Sequence, residues 1–280
     1  MNNSKKTIVI GVMSTLLIAV IIQPSFSYNI KQALALSSSS SSSSSSAYAQ
    51  SQTSNNAALA KPLPVLLIHG YLADASSWKR WEDLLKKDGI QYFPITFYKS
   101  DDKCGTAADH AKELSKQIQQ IQNTTGSKQV NIVGHSKGGL DARVYLFNNS
   151  KENVVANLIM IGVPNAGSPL AQSSNICKPA VDDLKPGAAD TKVGANTNTK
   201  YYTIAGDWNP SLLLNCPQLN WLPAEEAGYL QLPKPNDGLV PLSSVESQGY
   251  FHNLGHTQDC HSNLLGDKEY GLAKPILLGK

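Results

Sequence analysis

The sequence predicts an α/β fold in which a mostly parallel central sheet carries helices on both faces. Short apolar runs without charge alternate with amphipathic stretches of helical length, the pattern that crossover helices between parallel strands impose. Those runs are almost continuously apolar rather than alternating, as strands must be when both of their faces are covered. The 280 residues, 41% hydrophobic and only 16% charged, can also bury one large core.

From Lys61 the elements follow in order. "PVLLIHG" is a buried strand ended by Gly70, and "SSWKRWEDLLKKDG" is an amphipathic helix opened by serine and closed by Gly89. "IQYFPITF" is a strand, "TAADHAKELSKQIQQIQNTTG" a long helix, and "KQVNIVGHS" a strand that runs into the helix "KGGLDARVYLFNN". "VANLIMIGVP" and "KYYTIAGDW" are further strands, and a last strand around "GYFHNL" precedes a short C-terminal helix. Residues 168–200 and 208–235, rich in Pro, Gly, Asn and Ser, break this rhythm. They read as two loop insertions near the edge of the sheet where the carboxyl ends of the strands gather working residues, either as plain surface loop or as the rim of a cleft.

The first 60 residues are of another kind. "MNNSKK" is a cationic head and "TIVIGVMSTLLIAVII" an uncharged apolar run, so residues 1–36 read as a secretory signal peptide or a membrane anchor. Small-residue cleavage sites occur in "SFS" and "AYA", and the residues leave that choice open. Residues 37–60 open with ten serines, which can bury nothing, and read as a flexible linker. The folded domain is then 61–280. The net charge of +3 comes from Lys5, Lys6 and Lys31, which leaves a neutral body with no electrostatic reason to bind nucleic acid. In an exported protein, Cys104, Cys177, Cys216 and Cys260 suit two disulfides. The expected pairs are Cys104 with Cys260 and Cys177 with Cys216, each joining segments on one side of the fold.

Chemistry enters at "VNIVGHSKGGL", where Gly134, Ser136 and Gly138 form G-x-S-x-G between a predicted strand and helix. A sharp strand-to-helix turn projects the Ser136 hydroxyl above the sheet, and side chains in place of the flanking glycines would collide with neighbouring elements. A serine that attacks an acyl carbon also needs N–H donors for the oxyanion. The backbone N–H of Lys137 is one, and that of Tyr71, after His-Gly in "LLIHGY", is the other. His69 is expected to shape that turn, and the Lys137 side chain to face solvent.

Four segments in order, "LLIHGY", "GHSKGG", "LIMIGVPNAGSPLA" and "NDGLVPLSS", resemble the secreted lipases and esterases of the α/β-hydrolase fold, particularly the small bacterial triacylglycerol lipases. The likeness covers roughly 61–280 apart from the two insertions. It implies a Ser, Asp, His triad in chain order, ester or lipid substrates and no cofactor. Asn165 stands where many larger lipases carry histidine, and the insertions exceed what the smallest members have.

Asp207, after "YYTIAG", and Asp237, in "NDGLV", compete to orient the histidine, and the family pattern favours Asp237. Gly238 supplies the tight turn that aims a carboxylate from a loop. Of His252, His256 and His261, the last stands between the final strand and the C-terminal helix, as the family's catalytic histidine does; His256 is its rival. His252, His256 and Cys260 would share a face if helical, yet the turn-prone residues between them make a loop, and no metal is expected. The predicted site is therefore Ser136, Asp237 and His261, with Tyr71 and Lys137 as oxyanion donors. The alternatives are hydrolysis of another acyl substrate (a thioester, amide or polyester), since one triad serves them all, or an inactive hydrolase fold kept as a surface binding protein.

Overall fold

The computed structural model describes residues 61–188, 193–211, 216 and 222–280. The signal or anchor and the linker expected over residues 1–60 lie outside the described residues, among which no helix is long and apolar enough to cross a membrane.

Six strands form one sheet: β1 (Val65–Ile68), β2 (Tyr92–Pro94), β3 (Val130–His135), β4 (Val155–Ile161), β5 (Lys200–Gly206) and β6 (Phe251–Thr257). Their order is β2-β1-β3-β4-β5-β6, and every pairing is parallel. The helices are α1 (Lys79–Lys87), α2 (Ala107–Thr125), α3 (Lys137–Asn148), α4 (Lys178–Asp183), α5 (Leu222–Gln231), α6 (Leu242–Val245) and α7 (Asp267–Leu277).

Side chains of a strand alternate between faces, and the two cores divide accordingly. Leu66, Ile68, Ile132, Leu158 and Met160 pack with residues of α2 and α3. Val65, Leu67, Val133, Ile159 and Ile161 pack on the opposite face with Trp81, Leu85, Tyr270 and Ala273 of α1 and α7. Continuous apolar runs were thus the correct sign of strands covered on both sides. The long helix begins where Thr106 Oγ1 accepts the Asp109 N–H at 3.1 Å and ends at Gly126, with φ +71°.

The insertions carry short helices: a 3-10 turn, Pro169–Gln172, and α4 in the first, and α5 in the second. Two expectations are corrected. The last strand runs on to Thr257, so His256 belongs to the sheet. The disulfides pair Cys104 with Cys177 and Cys216 with Cys260, not Cys104 with Cys260 and Cys177 with Cys216. Each bridge ties one insertion to a loop of the main body, whereas the expected scheme would have tied the two insertions to each other. Paired cysteines suit an oxidising compartment.

Candidate active site

The site begins with a backbone irregularity. Between β3 and α3, Ser136 adopts φ 51° and ψ −127°, a conformation that costs a non-glycine residue energy and is held only by its surroundings. Those surroundings are glycines. A β-carbon on Gly134 would stand 2.7 Å from the Gly139 Cα, and one on Gly138 would stand 2.4 Å from the His69 carbonyl oxygen. Strand and helix therefore approach closely enough to force the turn. A β-carbon on Gly70 would lie 2.9 Å from the Ser136 Cβ, so the loop after β1 is pressed against the serine. Lys137 opens α3, where a backbone N–H has no intrahelical acceptor.

Asp237 is fully buried. Its Oδ1 accepts N–H bonds from Leu239 at 2.9 Å and Val240 at 2.7 Å, and its Oδ2 lies 2.7 Å from His261 Nδ1. Since the carboxylate accepts, Nδ1 carries the proton and Nε2 is left as the basic nitrogen. Room for this pair comes from glycines at the ends of two strands. A β-carbon on Gly206 would stand 2.6 Å from the Asp237 Cβ, and one on Gly162 would be 3.2 Å from His261 Nδ1. Burial pushes the His261 imidazolium down, but the charge and hydrogen bond of Asp237, with Glu225 adding, hold the group above its ordinary value.

Ser136 and His261 line one cleft of about 840 Å³, together with Gly70 and Tyr71. Leu170, Ala171, Val181, Leu184, Leu239 and Val240 give it apolar walls. Ser76, Ser77, Arg80 and Asn263 add polar ones. The first insertion supplies four of the apolar residues, so it forms part of the rim.

The rivals stand elsewhere. Asp207 is exposed, and its N–H donates to the Thr257 carbonyl at 2.7 Å. His256 is exposed on β6, its Nε2 2.5 Å from Glu246 Oε1, and His252 is exposed beside Tyr202. His252 and His256 are exposed on β6, whereas Cys260 is buried and bonded to Cys216. Among the described residues, Cys216, Glu225 and Cys260 are the one group with donor atoms close enough for an ion. Their sulfurs are joined in the disulfide and offer no thiolate.

Lys137 corrects another expectation, because its side chain does not face solvent. It is buried, with Nζ 2.6 Å from Asp141 Oδ1, and Asp141 Oδ2 lies 2.7 Å from His110 Nδ1. His110 comes from α2, and Asp183 of α4 lies 3.9 Å from the Lys137 Nζ, so the charge is met inside the protein. Asp141 is held below the usual carboxylate range despite burial, by the Lys137 charge and the His110 hydrogen bond. Sequence reasoning also passed over His135 and Glu225. His135 Nε2 donates to the His261 carbonyl at 3.1 Å, and burial together with the His261 charge pushes the ring down to about 3, so it stays neutral.

Comparison with known proteins gives three results. Residues 64–209 match the family described as palmitoyl protein thioesterase. A triacylglycerol lipase of Pseudomonas fragi is 27% identical over 144 residues, 49% of this chain and 45% of that one. A triacylglycerol lipase of Pseudarthrobacter phenanthrenivorans is 28% identical over 116 residues, 39% of this chain and 35% of that one. The chain thus spans less than half the length of these curated relatives. Among solved structures, the mature form of a Bacillus licheniformis lipase superposes with a TM-score of 0.60 at 23% identity, covering 78% of this chain and 93% of that one. A metagenomic carboxyl esterase gives 0.62 at 16% identity, covering 79% and 76%. The shared architecture is the α/β-hydrolase fold.

Proposed function

The chain belongs to the palmitoyl protein thioesterase family of α/β-hydrolases, and from that premise we propose that it is a serine hydrolase cleaving carboxylic esters of apolar acyl groups. The observation that carries the proposal is a Ser136 in a strained strand-to-helix turn sharing one cleft with a buried His261–Asp237 pair. In this mechanism His261 Nε2 takes the hydroxyl proton as Ser136 Oγ attacks the acyl carbon. Asp237 fixes the ring orientation and stabilises the imidazolium. The backbone N–H groups of Tyr71 and Lys137 meet the negative charge that develops on the carbonyl oxygen. Collapse of the tetrahedral species returns the proton to the leaving alcohol and leaves an acyl-enzyme, which water hydrolyses by the same steps. The apolar residues of the cleft suit an acyl chain, so lipid or acylglycerol esters are the favoured substrates.

A second reading has a specific support. The matching family is described by thioester chemistry, and the same machinery can release a thiol in place of an alcohol. Paired assays on oxygen esters and thioesters of one acyl chain, from two to sixteen carbons, decide between them; no turnover of either sinks both. The four paired cysteines suit export, and N-terminal sequencing of secreted protein tests whether residues 1–36 are removed or tether the enzyme to a membrane.

A further inference from the structure

We propose that Glu225 is a positioning residue for the base, holding the loop that carries His261 and setting a negative charge behind its ring. The proposal rests on the hydrolase reading above. Glu225 is fully buried on the first turn of α5, in the second insertion. Its Oε1 accepts the N–H of Ser262, the residue after His261, at 2.7 Å. Its Oε2 lies 2.9 Å from Cys216 Sγ, and the disulfide partner of Cys216 is Cys260, the residue before His261. Its carbonyl oxygen also comes within 2.8 Å of where a β-carbon on Gly238 would stand, so the residue after Asp237 rests on Glu225 as well. One residue thus reaches the chain on both sides of the base through its carboxyl group, and through its backbone the turn that aims the acid.

Such a placement is hard to explain as packing alone. A buried carboxyl costs free energy that an apolar residue of the same size would avoid, and burial does push this one above the usual carboxylate range, against the Ser262 N–H and the His261 charge. A carboxylate at this spot returns that cost in two ways. It fixes a backbone N–H with a charge-assisted bond, and it stabilises the imidazolium that forms during acyl transfer. The titratable groups around His261 are Asp237 from the turn after α5, Glu225 from α5 and His135 from the end of β3, and His135 stays neutral.

The test compares Glu225→Gln and Glu225→Asp in the full, oxidised chain on a short-chain ester. Glu225→Gln is expected to lower kcat roughly ten-fold with KM within about two-fold, the scale of a slightly misplaced base. It should also move the acidic limb of kcat/KM to lower pH, because the lost anion no longer favours the imidazolium. Glu225→Asp keeps the charge but is too short to hold Ser262, so kcat should fall while the limb stays. A Gln variant with wild-type kcat, or with reduced kcat and an unmoved limb, overturns the proposal. Should the Gln variant fail to fold, wild-type kcat in the Asp variant overturns it. Ser136→Ala run alongside separates the two levels: activity there sinks the hydrolase reading, whereas an inactive Ser136→Ala beside a wild-type Glu225→Gln sinks this inference alone.

Discussion

The protein contains near-identical histidine–aspartate pairs in two very different places. His261–Asp237 and His110–Asp141 each bring Nδ1 within 2.7 Å of a carboxylate oxygen, and all four side chains are buried. They differ at the far nitrogen. His110 Nε2 is occupied by the Asp101 carbonyl at 3.0 Å, its ring is stacked on Phe97, and its aspartate is shared with Lys137. His69 is closed in the same way, with Asp102 on Nε2 and the Gly70 carbonyl on Nδ1. The ring of His261 instead lines the cleft beside Ser136. A buried carboxylate beside an imidazole can therefore clamp the structure or, in the function proposed above, orient a base, and what the other nitrogen faces separates the two roles.

The sharpest break of this comparison is to remove the groups at the cleft. Ser136→Ala and His261→Ala are each expected to cost on the order of 10^3-fold or more in kcat with the fold intact by circular dichroism. Asp237→Asn should follow, with a loss of at least about 10^2-fold, since the ring can then settle in the wrong tautomer. At the clamp the loss should fall on stability instead. His110→Ala leaves Asp141 with half its partners and is expected to cost about 3 kcal/mol in denaturant unfolding, with kcat of the folded fraction within about ten-fold. Equal kcat losses at His110 and His261 would erase the distinction.

Acidity offers a finer instrument. As the proposed base, His261 works only as neutral imidazole, and burial notwithstanding, Asp237 holds its imidazolium above the ordinary value. Activity should therefore fade as pH drops through a value above about 6.5, the reference for histidine. In Asp237→Asn the limb should move down. The smallest effect is expected at the exposed His256, where alanine should change kcat less than about two-fold on the same substrate.

What could be read in the residues was what is local. G-x-S-x-G between an apolar run and a helix is a statement about one turn, and the turn is there. Motif and place after a strand favoured Asp237 and His261 over Asp207 and His256, and these two side chains do pair, although β6 proved long enough to take His256 into the sheet. Lys137 was misread because a charge at a helix start ordinarily finds water; Asp141, four residues on along one helix face, was the available sign that it would be met inside. The disulfide pairing and Glu225 carry no comparable sign. Both depend on how the insertions fold back over the sheet, which composition does not encode.

The bridge between Cys216 and Cys260 spans 44 residues and closes them into a covalent ring of polypeptide. Closure of that size stabilises a folded chain by about 4 kcal/mol in the chain-entropy picture. Asp237 rides inside the ring and His261 is the first residue beyond it. A protease that cuts one peptide bond of the ring therefore releases no fragment, and Asp237 and His261 stay on one covalent assembly. In a reduced molecule a cut anywhere between these two residues would part them.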